Sequence, residues 1–453
     1  MKKIAIAGAG LVGSLLAIYL RKRKYEVSVF ERRGDMRAKG YVGGRSINLA
    51  LSNRGIKALE EVGLAETLKQ IAIPMHGRMM HSQQSELRYQ AYGKEGQYIN
   101  SISRGALNLA LINEAEKAGA KFYFDHKIEH TDLEKTSITF AVDEKQKQES
   151  FDLIIGADGA FSAIRDAFRI SDRFNYQQFY IEHGYKELSI PAGSHGEFLM
   201  EKNALHIWPR ESYMLIALPN PDATFTCTLF FPFEGPVSFQ SLQTDQQIVD
   251  FFSTVFPDAQ AMMPHLLDEY KRNPVSSLVT VKCFPWVNNK TILIGDAAHA
   301  IVPFYGQGMN AGFEDCRRLN ELLDKHADNW DLVLPEYQHL RKPDGDAIAQ
   351  LALDNFIEMR DLVADTDFLL RKKIEAHLHS LYPNDWIPLY SMVTFYEQIR
   401  YSEAYRNGQI QKSIMDEVMK TPEIESQWKF LNFEVIVEKY RILRQKEGYK
   451  NNF

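Results

Sequence analysis

The feature that most limits how this chain can fold lies at its start, where Lys2–Ala7 runs as a short apolar stretch into Gly8-Ala9-Gly10-Leu11-Val12-Gly13. An apolar run ending at glycine reads as a buried strand, Leu11–Arg23 as a helix and Glu26–Glu31 as the next parallel strand, so a right-handed strand–helix–strand unit opens the chain. In such a unit Gly8 permits a tight turn, Gly10 lets the backbone approach a pyrophosphate, and Gly13 lets the helix pack close to the strand. The helix starts at Leu11 and Val12 and points free N–H groups and its positive dipole end at the phosphates. Glu31 closes the second strand, where a carboxylate accepts both hydroxyl hydrogens of an adenosine ribose and repels a 2′-phosphate. Glycine-rich loops also close ordinary turns. The strand–helix–strand context and Glu31 favour a dinucleotide site.

The same region invites another reading. Ile4–Leu20 is an unbroken run of apolar and small residues behind Lys2-Lys3, like a signal peptide or short anchor. Arg21-Lys22-Arg23-Lys24 follows it directly, no small-residue cleavage site is visible, and the three glycines interrupt it. A buried strand and helix account for all of this. With 453 residues, nearly half of them apolar and a quarter charged, the chain is a soluble globular protein too long for one core. A net charge of -6 gives no electrostatic reason for nucleic-acid binding. Cys227, Cys283 and Cys316 lie too far apart for a disulfide framework or a CxxC metal pair, as in a reducing compartment. His126 with His130, and His377 with His379, have spacings compatible with metal but no carboxylate or cysteine context, so no metal is expected.

Further on, Ser46–Leu68 and Ser103–Ala118 read as helices, Arg88–Gly93 as sheet and Phe151–Ile155 as another buried strand. From Tyr176 to Phe231 strands dominate, which marks a mainly antiparallel domain inserted among alternating strands and helices. Thr291–Ile294 returns to a buried strand, Asn310–Leu323 to a helix, and beyond Lys342 the chain reads helical. The fold expected is α/β. A discontinuous Rossmann-like domain (1–75, 100–172 and 275–340) is joined by a β-sheet substrate domain (76–99 and 173–274) and a helical C-terminal region (341–453).

Two further motifs narrow the dinucleotide. Asp158-Gly159-Ala160-Phe161-Ser162-Ala163-Ile164-Arg165 follows the strand FDLIIGA. An N-capped helix explains it, and so does the DG motif of flavoprotein hydroxylases, matched at Asp158, Gly159, Ser162 and Arg165. Gly295-Asp296-Ala297-Ala298-His299 precedes Pro303 and Gly306-Gln307-Gly308-Met309-Asn310-Ala311-Gly312. An aspartate at a strand end accepts hydrogen bonds from ribityl hydroxyls. The glycine-rich turn brings a helix N-terminus to the flavin pyrimidine, where reduced flavin carries negative charge. No second GxGxxG follows a later strand, so FAD is held tightly and a nicotinamide cofactor visits transiently.

With these motifs, GRSINLALSNRG (44–55), HIWPR (206–210), TCTLF (226–230), AHAIVPFYGQGMNAGFEDC (298–316), NFIEMR (355–360) and PLYSMVTF (388–395) carry a resemblance. Over roughly Lys2–Ala404 the chain is similar to the kynurenine 3-monooxygenase family of single-component FAD-dependent aromatic hydroxylases. The resemblance implies FAD, NADPH and O2, a C4a-hydroperoxide as hydroxylating species, and L-kynurenine converted to 3-hydroxykynurenine in tryptophan degradation towards NAD. It implies FAD contacts at Gly8, Gly10, Leu11, Val12, Gly13, Glu31, Arg104, Asp158, Asp296, Gly308, Met309 and Asn310. It matches Arg78 to the arginine that pairs with the substrate carboxylate, and Tyr92, Asn355 and Tyr390 to its companions. Phe230, Pro303, Tyr305 and Met359 match the walls around the ring. Each also has a plainer explanation: Arg78 as a surface ion pair with Arg88 its rival, the tyrosines and Asn355 as satisfied core polar groups, Phe230 as core. Because the ring amine activates its ortho carbon, no catalytic side-chain base is expected, and His299 is read as a motif residue. Relatives carry an aromatic residue or histidine at 305. Eukaryotic members have a C-terminal membrane anchor, whereas the charged tail here suggests a free cytoplasmic enzyme. A hydroxylase of another anthranilate-like or phenolic ring, a flavin-dependent reductase, and a non-catalytic FAD-binding protein are the alternatives.

Overall fold

The computed structural model describes residues 2–38, 48–94, 96–142, 145–358 and 365–449. Its first layer is a six-stranded sheet in which Lys3–Ala7 pairs in parallel with Leu153–Gly156 on one side and Glu26–Phe30 on the other. Thr291–Leu293 and the short Val287–Asn288 extend one edge, and Lys121–Tyr123 the other. Ile4, Ile6, Val27, Val29, Ile154 and Ile155 are almost fully buried, as expected of β-branched strands covered on both faces. The helix Leu11–Lys22 covers one face, buried from Gly13 to Leu20, and its basic end, Arg21 and Lys22, reaches solvent.

A seven-stranded sheet forms the second layer, ordered Ser276–Phe284, Asn175–Ile190, Phe225–Pro232, Tyr213–Pro219, Ala204–Arg210, Gly77–His81, Leu87–Ala91. It is antiparallel except where Ala204–Arg210 meets Gly77–His81. Leu188, Trp208, Leu215, Cys227, Leu229 and Phe231 pack one face against the helices Asp245–Val255, Pro257–Ala261 and Leu266–Arg272. Strand residues alternate between faces, so Tyr185, Met214, Ile216 and Phe230 occupy the other face, with Tyr185 and Met214 each opposite Phe230 in register.

Two readings of the sequence change. The stretch expected to be helical from Ser46 to Leu68 begins, among its described residues, with a strand, Asn48–Leu51, paired antiparallel with Ile99–Ser103. Helices follow only at Asn53–Glu61 and Ala65–Ile71, separated at Gly63, whose φ of +92° ends the first. Four residues reading NLAL fit either period, and the partner strand decides. The meander Lys127–Asp132, Ser137–Val142, Lys145–Ser150 went unread because its outer strand is exposed throughout and carries no apolar alternation.

The helix Trp330–Ile357 runs unbroken past position 341 and contains Pro335 and Pro343. Arg341 on this helix donates to Asp315 at 2.7 Å and to Asp344 at 2.9 Å, all three side chains being buried. Helices Thr366–Leu381, Leu389–Thr394, Tyr401–Val418 and Phe433–Tyr449 complete the C-terminal part. Among the described residues no helix is long and apolar enough to cross a membrane.

Candidate active site

A cavity of about 580 Å³ lies between the two large sheets. One end is built by backbone. Gly8 adopts φ +97°, and a Cβ there would lie 2.6 Å from the Ala157 carbonyl oxygen. A Cβ on Gly13 would lie 2.0 Å from the Gly8 oxygen, whereas one on Gly10 would meet nothing within 4 Å. Gly13 therefore serves packing, and Gly10 keeps the wall open for a ligand. Leu11 and Val12 line the cavity, and their amides, in the first helical turn, have no intrahelical acceptor. That turn holds no acidic residue to neutralise its positive end.

Glu31 is anchored on the same wall: Oε2 accepts from the Ala9 N–H at 3.0 Å, and Oε1 from the Arg33 N–H at 3.0 Å. Two strands separate Thr291–Leu293 from Glu26–Phe30, so at ordinary strand spacing the strand ends leading to Asp296 and Glu31 stand about 14 Å apart. Asp296 opens the helical turn Asp296–His299 and is exposed on the cavity wall. Gly308 and Met309 begin the 18-residue helix Gly308–Lys325, again with no acid in its first turn. Arg104 and Asp158 line the middle. Asp158 Oδ2 accepts from the Ala163 and Ile164 amides at 2.7 and 3.2 Å, while Oδ1 is buried without a partner. Burial holds that carboxyl above the usual carboxylate range. Two helix N-termini, an open glycine wall and an unanswered buried oxygen between two carboxylate-bearing strand ends suit an FAD.

Side chains build the other end. The Arg78 guanidinium is 5.3 Å from the Tyr92 ring centre and 4.7 Å from that of Tyr390. The two rings lie 5.6 Å apart and 11° from parallel, and Tyr305 stacks on Tyr390 at 5.6 Å. Arg78 Nε and the Tyr92 hydroxyl are buried with no hydrogen-bond partner. A guanidinium held among rings gains from cation–π attraction, yet a covered, unused donor is costly until an acceptor arrives. Burial raises the Tyr92 and Tyr305 hydroxyls well above ordinary phenol, so both stay protonated and can donate. Beside them Phe230, Pro303, Tyr185, Met214 and Ile216 line an apolar slot, with Phe230 5.0 Å from Phe304.

Comparison with known proteins decides the family. The FAD binding domain family matches residues 1–352. Kynurenine 3-monooxygenase of Christiangramia forsetii is 50% identical over 430 residues, covering 94% of this chain and 96% of that one. The enzyme of the same name from Flavobacterium johnsoniae is 51% identical over 429 residues, covering 94% and 96%. The chain belongs to the kynurenine 3-monooxygenase family. It is an FAD-dependent aromatic monooxygenase. The solved tetrameric form of 2-methyl-3-hydroxypyridine-5-carboxylic acid oxygenase shares the fold, with a TM-score of 0.67 at 19% identity, covering 82% of this chain and 95% of that one.

Within this kynurenine 3-monooxygenase family member the cavity gathers most, but not all, of the residues expected from sequence. Gly8, Gly10, Leu11, Val12, Glu31, Arg104, Asp158, Asp296, Gly308 and Met309 line it, as do Arg78, Tyr92, Phe230, Pro303, Tyr305 and Tyr390. Gly13 and Asn310 stand behind the wall. Asn310 donates to the Ala50 and Gly306 carbonyls at 2.9 Å and accepts from the Ser52 amide at 2.9 Å, stitching the glycine turn to its neighbour. Asn355 is also off the wall: its side-chain amide donates to the Phe304 carbonyl at 2.8 Å and steadies the turn Pro303–Tyr305. Met359 lies outside the described residues.

His299 points away from the cavity, stacked on Trp286 and bonded through Nε2 to Asp315 at 2.6 Å. Burial opposes its protonation, but the Asp315 carboxylate prevails and raises its affinity for a proton. In the DG segment, Ser162 caps the helix Ala163–Phe168 and Arg165 donates to the Ala297 and Ala160 carbonyls at 2.9 and 2.6 Å, joining two cofactor motifs. Met214, Ile216 and Leu218, which floor the slot, were missed because both faces of their strand are apolar.

Proposed function

We propose that this enzyme hydroxylates L-kynurenine at ring position 3, taking electrons from NADPH and one oxygen atom from O2, the second leaving as water. The Arg78 guanidinium between Tyr92 and Tyr390, with a covered N–H and a buried hydroxyl uncommitted, carries the reading. Such a group matches the one permanent anion of kynurenine, its amino-acid carboxylate. With the carboxylate taken there, the aniline lies in the apolar slot of Phe230, Pro303, Tyr305 and Met214, towards the Gly308 helix.

FAD bound along the glycine wall supplies the electron-transfer and oxygen chemistry. The chain's own residues position and exclude. The Leu11–Lys22 N-terminus and Arg104 hold the pyrophosphate, Glu31 the ribose, Asp296 the ribityl chain, and the first-turn amides of the Gly308–Lys325 helix the pyrimidine edge. Arg78 and Tyr92 fix one end of the substrate, so the reacting ring carbon is presented in one pose. The apolar floor keeps water out, limiting wasteful peroxide release. The ring amine already enriches its ortho carbon, and the protonated tyrosines around it have no base to supply. The proposed division of labour follows 1–75, 100–172 and 275–340 for FAD and 76–99 with 173–274 for substrate.

The test is direct. The FAD-loaded protein is mixed with NADPH, air and L-kynurenine, and the product is identified by mass and chromatography against 3-hydroxykynurenine. A product 16 mass units heavier that coelutes with it is expected. Consumption of NADPH that kynurenine does not accelerate, or hydroxylation of a phenolic or anthranilate ring in its place, overturns the proposal.

A further inference from the structure

Arg54 is buried to 1% exposure at the start of the helix Asn53–Glu61, far in sequence from everything it touches. Its Nη1 meets both carboxylate oxygens of Glu314, at 3.0 and 3.1 Å, on the helix whose first turn lines the flavin end of the cavity. Its other nitrogens turn to a different element. Nε donates to the Val393 carbonyl at 2.8 Å, and Nη2 to the Ile399 carbonyl, with Met392 and Tyr396 oxygens at 3.4 Å. Those carbonyls end and follow the helix Leu389–Thr394, which carries Tyr390.

The last carbonyls of a helix have no intrahelical donor, and a guanidinium offers five N–H groups in a fixed plane. Arg54 thus acts as a C-cap supplied from another part of the chain. Its face stacks 4.0 Å from the Tyr401 ring, and the Tyr401 hydroxyl donates to Gln307 Oε1 at 2.9 Å, immediately before the helix at Gly308. Next to it, Asn53 donates to the Phe395 carbonyl at 3.1 Å. One side chain therefore joins the helix that faces the flavin to the segment bearing a wall of the carboxylate site, and through Tyr401 reaches Gln307, the cap residue of that helix. A buried arginine–glutamate pair adds little net stability compared with apolar packing. No apolar side chain could hold these carbonyls in place.

We propose that Arg54 is a positioning residue for the hydroxylation, fixing Tyr390 and the Gly306–Asn310 turn relative to one another and so setting how far the substrate ring sits from the flavin. It touches neither ligand. The role rests on the reading of the cavity as the kynurenine site.

Arg54→Lys keeps the charge opposite Glu314 but cannot span the carbonyls. In that variant we expect flavin content near wild type, kynurenine Kd by calorimetry raised about tenfold, and most NADPH electrons leaving as hydrogen peroxide. Amide hydrogen exchange in 389–399 should accelerate without any substrate present. Tyr401→Phe, which loses only the bond to Gln307, should shift Kd and coupling the same way by about threefold. Wild-type Kd and coupling in Arg54→Lys, or losses that only track flavin content, overturn the proposal. So does an Arg54→Lys that fails to fold alongside a Tyr401→Phe that behaves as wild type. If the unmodified protein turns over no kynurenine, the functional reading fails, while exchange in 389–399 still decides whether Arg54 holds the segment.

Discussion

The two ends of the cavity are made differently. At the flavin end much of the wall is backbone, glycine turns and helix N-termini set at the ends of strands and fixed where a side chain cannot fit, as at Gly13. At the other end, where the substrate is proposed to lie, Arg78, Tyr92, Phe230, Tyr305 and Tyr390 arrive from five segments and meet through ring stacking and cation–π contacts. A cradle of backbone binds or fails as a unit. A cluster of side chains loses affinity step by step.

That contrast can be broken. The largest effect, loss of the cofactor itself, is expected from Gly13→Val: its Cβ would fall 2.0 Å from the Gly8 oxygen, so absorbance at 450 nm per protein should drop at least about 100-fold. Arg78→Ala should leave flavin content alone and raise KM for kynurenine about 100-fold, the scale of a lost charge-assisted bidentate pair. Tyr92→Phe removes one hydroxyl that has no other partner and should raise KM about fivefold in steady-state assays. Asn355→Ala separates a turn support from a substrate contact. Because its amide already holds the Phe304 carbonyl, a change of about twofold is expected, and tenfold would mark direct contact.

The smallest effect concerns pH. Asp315 raises the proton affinity of His299 against the opposing effect of burial. Stabilisation from this pair is complete below the unfolded histidine value of about 6.5 and fades as pH rises through the higher folded value. The Tm gap between wild type and His299→Asn should therefore be widest near pH 6 and narrow as the pH rises above it. A gap that widened with pH would contradict the assignment.

What could be read from sequence follows the same division. Gly8, Gly10, Gly13, Glu31 and Asp296 were legible because their roles depend on local turn geometry at the ends of recognisable strands. The meeting of Arg78, Tyr92 and Tyr390 was legible only through resemblance, since nothing near Tyr390 in sequence signals that it stacks on Tyr92. Asn355 comes from the resemblance as a contact, and its bond to the Phe304 carbonyl was not legible, because chain position says little about which way an amide turns. Asn48–Leu51 was misjudged since its strand state is imposed by Ile99–Ser103. Nothing around Arg54 in LSNRG signals its role, because its partners lie some 260 to 345 positions away.

The decisive comparison is between L-kynurenine and its decarboxylated amine, titrated into the FAD-loaded wild type and into Arg78→Ala. Wild type should prefer kynurenine by about 100-fold and the variant by almost nothing. Equal binding of both compounds by wild type would show that the carboxylate is not gripped at all, and a preference that survives without Arg78 that it is gripped elsewhere; either contradicts the account.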